Sequence, residues 1–198
     1  MDLPSLKSAL SELEPIDFVS QHIIGGQPKH LNQEQLEYIR VRICEAVRID
    51  IPATEINIVG SAKIGFGLFR KKLKHGGELP AFRPFGPESD IDVAICSSQL
   101  FDQAWVELCD FAIAKPWLPH IMKNTGNYLV YGWLRPDQVP REARLRTLDL
   151  FQDRMRDLSR SSELGRRKVS GALYRDLSFL SKYQARGISL CRKELSAT

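Results

Sequence analysis

The stretch that decides the fold has two parts, Ile56-Asn57-Ile58-Val59-Gly60-Ser61 and Ser89-Asp90-Ile91-Asp92-Val93-Ala94-Ile95. The first alternates, is rich in Ile and Val, and stops at Gly-Ser, which predicts a strand running into a turn. The second is a nearly continuous apolar run, the pattern of a central strand covered on both faces. Within it, Asp90 and Asp92 are one residue apart. Strand side chains alternate between faces, so both carboxylates project to the same side. Two like charges held together repel and raise each other's pKa unless a cation lies between them. A hard divalent ion with oxygen ligands, Mg²⁺ or Mn²⁺, suits such a pair. An isolated Asp-x-Asp is more often a turn residue followed by a strand-end charge. The preceding Gly60-Ser61 changes that balance. Glycine lets the backbone approach a ligand closely, and amide N–H groups where a helix starts favour phosphate oxygens.

Outward from this core, residues 31–49 place Leu36, Ile39, Ile43 and Val47 at helical spacing, and Pro52 ends the segment. Residues 5–14 predict a short amphipathic helix, and an apolar patch runs on through Ile24 to a break at Gly25-Gly26. Residues 62–69 can begin a helix after the Gly-Ser turn. Residues 71–88, rich in Gly, Pro and basic side chains, read as an exposed loop. Ser97-Ser98 can cap a helix carrying Leu100, Phe101, Trp105, Leu108 and Phe111. Residues 128–134 predict a third strand, residues 142–160 a helix, and residues 169–186 a last amphipathic helix. The fold class expected is α/β (α+β), a small mixed β-sheet flanked by helices. One domain is expected, with 1–50 as helical support, 51–150 as core and 151–198 as a basic helical flank.

Composition sets the outer limits. The chain has 198 residues, 43% hydrophobic and 26% charged, with a net charge of +4. Residues 151–198 hold 11 Lys/Arg against 5 Asp/Glu, so the rest is slightly acidic. A basic quarter suits a polyanionic partner, although a solvated helix face produces such a bias as often. Four scattered cysteines, with no C-x-x-C pair, argue against a zinc site and a disulfide framework. No apolar stretch reaches the ~20 residues of a membrane span. Residues 1–14 lack the layout of a signal peptide, so a cytoplasmic protein without a membrane partner is expected. His22, His30, His75 and His120 form no pattern with Ser or Cys, which leaves a hydrolytic triad unsupported.

A strand ending in Gly-Ser, followed by a hydrophobic-Asp-hydrophobic-Asp-hydrophobic strand, resembles the DNA polymerase beta-like nucleotidyltransferase superfamily. The likeness spans about forty residues. It implies that Gly60 and Ser61 hold nucleotide phosphates, aided by Lys63, and that Asp90 and Asp92 bind two metals. These would position an NTP, ATP first, while a hydroxyl acceptor on protein or tRNA attacks and pyrophosphate leaves. Compact bacterial members resemble toxin–antitoxin and phage-defence enzymes. The chain departs from the pattern twice. Twenty-eight residues separate Ser61 from Asp90, and they include Lys63, Arg70, Lys71, Lys72, Lys74 and Arg83. This basic loop would hold the triphosphate, guide an acceptor nucleic acid, or be a solvated insertion. The family also places a third carboxylate on a later strand, yet residues 128–134 contain none. Asp137 is the first choice for it and Asp149 the second. Without a third acid the chain reads instead as a degenerate nucleotidyltransferase that binds nucleic acid or a partner. Synthesis of a nucleotide second messenger is a further alternative. Arg166, Arg167 and Lys168 read as a surface cluster at a helix start, and Tyr131, Trp133 and Tyr174 as core aromatics rather than base-stacking platforms.

Overall fold

The computed structural model describes residues 1–72, 76–115, 119–136, 139 and 146–196. Its centre is a mixed four-stranded sheet of order β1-β6-β8-β7, made by β1 (Ile56–Val59), β6 (Ile91–Cys96), β8 (Val169–Tyr174) and β7 (Trp133–Leu134). β6 pairs antiparallel with β1, parallel with β8, and β8 pairs antiparallel with β7. Two small ladders, β2 (Phe66–Gly67) with β5 (Arg83–Pro84) and β3 (Lys71–Lys72) with β4 (Glu78–Leu79), organise the basic segment between β1 and β6. The mixed α+β architecture expected from the sequence is the one found.

Register assigns the two faces of the sheet. Ile91, Val93 and Ile95 of β6 lie beside Val169, Gly171 and Leu173 of β8. They join one apolar cluster with α3 (Gln33–Val47), α5 (Ser98–Ala114) and α7 (Arg146–Arg160). Asp92, Ala94 and Cys96 lie beside Ser170, Ala172 and Tyr174 on the opposite face. There Ala94, Cys96 and Tyr174 pack with Trp133 and with Leu180 of α8 (Leu177–Ser196). Both faces are covered, which is why β6 reads as almost wholly apolar. The polar exceptions, Asp92 and Ser170, share one face near one end.

Local sequence accounts for the helices. α3 starts with a capping box: the Gln35 amide donates to Asn32 Oδ1 at 2.8 Å, and the Asn32 amide donates to Gln35 Oε1 at 3.0 Å. It buries Ile39, Ile43 and Val47 and packs along α7. Asn32→Ala is expected to lower stability by about 1 kcal/mol, read as a drop in the urea midpoint with an unchanged slope. α7 presents Leu148, Phe151, Met155 and Leu158 as a buried stripe. It lies so close to β8 that a Cβ on Gly171 would sit 2.5 Å from Phe151 Cζ and 2.8 Å from Met155 Sδ. The N-terminal region adds α1 (Leu3–Glu12), α2 (Pro15–Phe18) and a π-helical turn (Val19–Ile24). Their buried residues, from Leu6 to Ile23, meet Ile188 and Cys191 of α8. Among the described residues, no helix is long and apolar enough to cross a membrane.

Several sequence expectations are corrected. The helix after Gly-Ser, α4 (Gly60–Ile64), is one short turn, because Gly65 at φ +92° leaves the helical region and Phe66 enters β2. Ser97 makes no side-chain cap on α5. Residues 128–130 extend α6 (Pro119–Val130) despite their β-favouring types, and Gly132 at φ +58° then turns the chain, leaving only two residues for β7. The largest correction concerns residues 169–186. Val169–Tyr174 is a strand at the heart of the sheet, and α8 begins at Leu177, where Asp176 accepts hydrogen bonds from the Ser178 and Phe179 amides. Residues 151–198 are therefore not a helical flank only. Cys96 and Cys191 are buried, Cys44 half-buried and Cys109 exposed, and none is in a disulfide.

Candidate functional site

β1 and β6 bring the Gly-Ser turn and the acidic pair together. Val59 is paired with Asp92, so the chain leaves β1 beside that carboxylate. Gly60 adopts φ +65°, and a Cβ there would stand 2.8 Å from Asp92 Oδ2. Only a glycine allows this approach, since both the backbone conformation and the space exclude a side chain. The carboxylate of Asp92 thus faces the turn. Ser61 follows, partly exposed, at the start of α4. With a single helical turn behind it, phosphate binding here would depend on close backbone amides and the Ser61 hydroxyl rather than on a long helix dipole.

β8 supplies neighbours that sequence reading missed. The Ser170 hydroxyl donates to Asp92 Oδ1 at 2.5 Å, across the parallel pairing of these two residues. Just before the strand, the Lys168 ammonium reaches Asp90 Oδ2 at 2.6 Å. From β3, Lys71 Nζ stands 3.4 Å from Asp90 Oδ1 and donates to the Glu88 carbonyl at 3.0 Å. Arg167 donates to the Gly86 carbonyl at 2.6 Å and lies 4.7 Å over the Phe85 ring, which stacks on His30. Residues 85–90 are therefore tied to the segment entering β8, and basic groups far apart in sequence surround one carboxylate. The signal that could have located β8 was Asp176, a helix-starting residue after an apolar run too short for a helix.

Burial raises the pKa of Asp92, and the negative charge of Asp90 adds to this. The Ser170 hydrogen bond and the charges of Lys168 and Lys71 act the other way. The native chain thus keeps a proton on Asp92 where the unfolded chain has released it. That contribution to stability is fully present below the ordinary carboxylate range and is lost as pH rises through the elevated native value. Metal-free wild-type protein is accordingly expected to lose stability relative to Asp92→Asn as pH rises from about 4 to neutrality. Chemical denaturation of both proteins at several pH values checks this, and a constant difference would contradict it.

Lys63 stands elsewhere. It is buried, its ammonium donates to the Gly26 carbonyl at 2.5 Å, and burial lowers its pKa. Cavities of about 510 Å³ and about 390 Å³ adjoin it, and neither is lined by Gly60, Ser61, Asp90 or Asp92. Lys63 thus anchors the 26–28 segment on α4. Asp149 is an exposed residue in the first turn of α7, not a strand residue. Asp137 lies outside the described residues. β8, the strand beside Asp92, reads Val-Ser-Gly-Ala-Leu-Tyr and contains no acid. Tyr131 is exposed with Arg186 5.2 Å from its ring, whereas Trp133 and Tyr174 stack inside the core.

The donor set fits a hard cation. Asp92 lies on β6 beside the open glycine turn, and Asp90, expected on the same strand, stands just before its first residue, Ile91; both offer oxygen as ligating atoms. Asp90 and Asp92 would hold such an ion. When bound, it would neutralise charge on phosphate oxygens and polarise them for substitution. Gly60 and Ser61 would orient those phosphates, and Lys71 and Lys168 would add fixed positive charge beside them. No protein family, curated protein or solved structure matches the chain.

Proposed function

We propose that the chain is a metal-dependent nucleotidyltransferase that moves a nucleoside monophosphate from an NTP, ATP first, to a hydroxyl on protein or tRNA. The observation that carries this reading is the meeting of Asp92 Oδ2 with the Gly60 turn, with Asp90 just before β6 and near enough for its charge to act on Asp92. Gly60 and Ser61 receive the phosphates, and Asp90 and Asp92 hold Mg²⁺ or Mn²⁺. The acceptor hydroxyl releases its proton to solvent as its oxygen attacks the α-phosphorus, the bond from that phosphorus to the oxygen of the β-phosphate breaks, and pyrophosphate leaves. The basic groups around Asp90 support a polyanionic substrate.

The test is incubation with α-labelled ATP, Mg²⁺ and either total tRNA or cell lysate. Label on a macromolecule that vanishes in Asp90→Ala and Asp92→Ala supports transfer. A second reading is favoured by Ser170, which stands beside Asp92 on an acid-free strand. It is a degenerate nucleotidyltransferase that binds nucleic acid or a partner without chemistry. RNA binding that survives in both Ala variants, with no label transferred by any protein, supports that reading and rejects the first.

A further inference from the structure

The four carboxylate oxygens of Asp90 and Asp92 are not equivalent. Asp90 Oδ2 is held by Lys168 at 2.6 Å, and Asp92 Oδ1 by Ser170 at 2.5 Å. Asp92 Oδ2 faces Gly60, and Asp90 Oδ1 has, among the described residues, the longer Lys71 contact at 3.4 Å. Each carboxylate therefore keeps one lightly held oxygen and commits the other to the segment 168–170. A pair of divalent ions needs several shared oxygens, because each ion takes about six ligands. Charge points the same way, since two ammoniums, those of Lys71 and Lys168, already lie against Asp90.

We infer that this site holds one divalent cation with its nucleotide, shared between Asp90 and Asp92, and that Lys168 supplies the fixed positive charge a second ion would bring. Ser170 is a positioning residue: its hydrogen bond turns Asp92 so that the other oxygen meets the Gly60 turn. This rests on the nucleotide-site reading above and departs from the two-metal expectation attached to the sequence resemblance. Lysine is suited to the role because its compact ammonium acts on phosphates as a point charge.

Equilibrium dialysis of the full chain against Mn²⁺ and a non-hydrolysable ATP analogue, with both quantified on the protein side, decides it. One Mn²⁺ per bound nucleotide is expected. Two would overturn the inference while leaving the nucleotide site standing. No nucleotide-dependent Mn²⁺ would overturn the inference and the reading beneath it together. Lys168→Met is expected to weaken nucleotide retention roughly tenfold, and Lys168→Arg to restore most of it. Equal retention by wild type and Lys168→Met removes the role given to that lysine. Ser170→Asp, which places an acid beside Asp92, is expected to raise the ratio to two, and a ratio still at one contradicts the part assigned to the hydroxyl. Asp137→Asn is expected to leave the wild-type ratio at one. A fall in that variant would identify Asp137 as a ligand and overturn the proposal.

Discussion

On the nucleotidyltransferase proposal, Asp92→Asn is expected to cut nucleotide transfer by about 10³-fold or more, because a ligand that fixes a phosphate-binding cation would be worth several kcal/mol of transition-state stabilisation. The substitution keeps the shape and the Ser170 contact but removes the charge. The same variant is expected to be at least as stable as wild type at neutral pH, since burying the Asp92 carboxylate opposes ionisation. Lost activity in a protein that melts no earlier would separate chemistry from folding. Steady-state transfer rates and thermal unfolding, both on purified protein, give the two halves of the result. Retention of more than a tenth of the activity would remove Asp92 from the cation site.

The largest effect on stability is expected from Phe151→Ala. Phe151 is fully buried, and its ring fills the space left by the missing side chain of Gly171. Truncating a buried Phe costs about 3–5 kcal/mol, a large share of the roughly 5–15 kcal/mol that holds a domain folded. β8 lies on this ring, so loosening should extend to Ser170 and Lys168. Urea unfolding should show a much lower midpoint, and amide exchange at residues 169–174 should accelerate. A loss below about 1 kcal/mol would mean that α7 closes on β8 by another route.

Much of the frame could be read from the chain. β6 was legible because a strand covered on both faces must be apolar, so Asp92 within it and Asp90 just before it stood out. β1 and α3 were legible through alternation and helical periodicity backed by end signals at Pro52 and Gly60. Within the candidate site, the approach of Gly60 to Asp92 was legible, because β1 and β6, which end beside it, follow from pattern. β8 was not legible. Leu173, Leu177 and Leu180 recur at helical spacing by accident of one strand meeting one helix, and a parallel partner 78 residues away leaves no local trace. Lys168, Ser170 and Lys71 join the site only through that long-range pairing and through the small β3 ladder. Lys63 failed in the opposite way. Its position after Gly-Ser suggested phosphate, but α4 turns its side chain toward Gly26.

The aromatic group on the α8 face gives the protein an optical signature. Trp133 stacks 6.0 Å from Tyr174, lies 4.3 Å from Tyr183, and meets Tyr128 edge-on at 4.8 Å. These rings come from β7, β8, α8 and α6, so the grouping exists only while that end of the sheet is assembled. Light absorbed by the tyrosines will pass to the indole of Trp133 there, whereas Trp105 is already half exposed on α5 and changes little. Tyrosine-to-tryptophan energy transfer therefore follows, without any attached dye, whether the strand that carries Ser170 is in place.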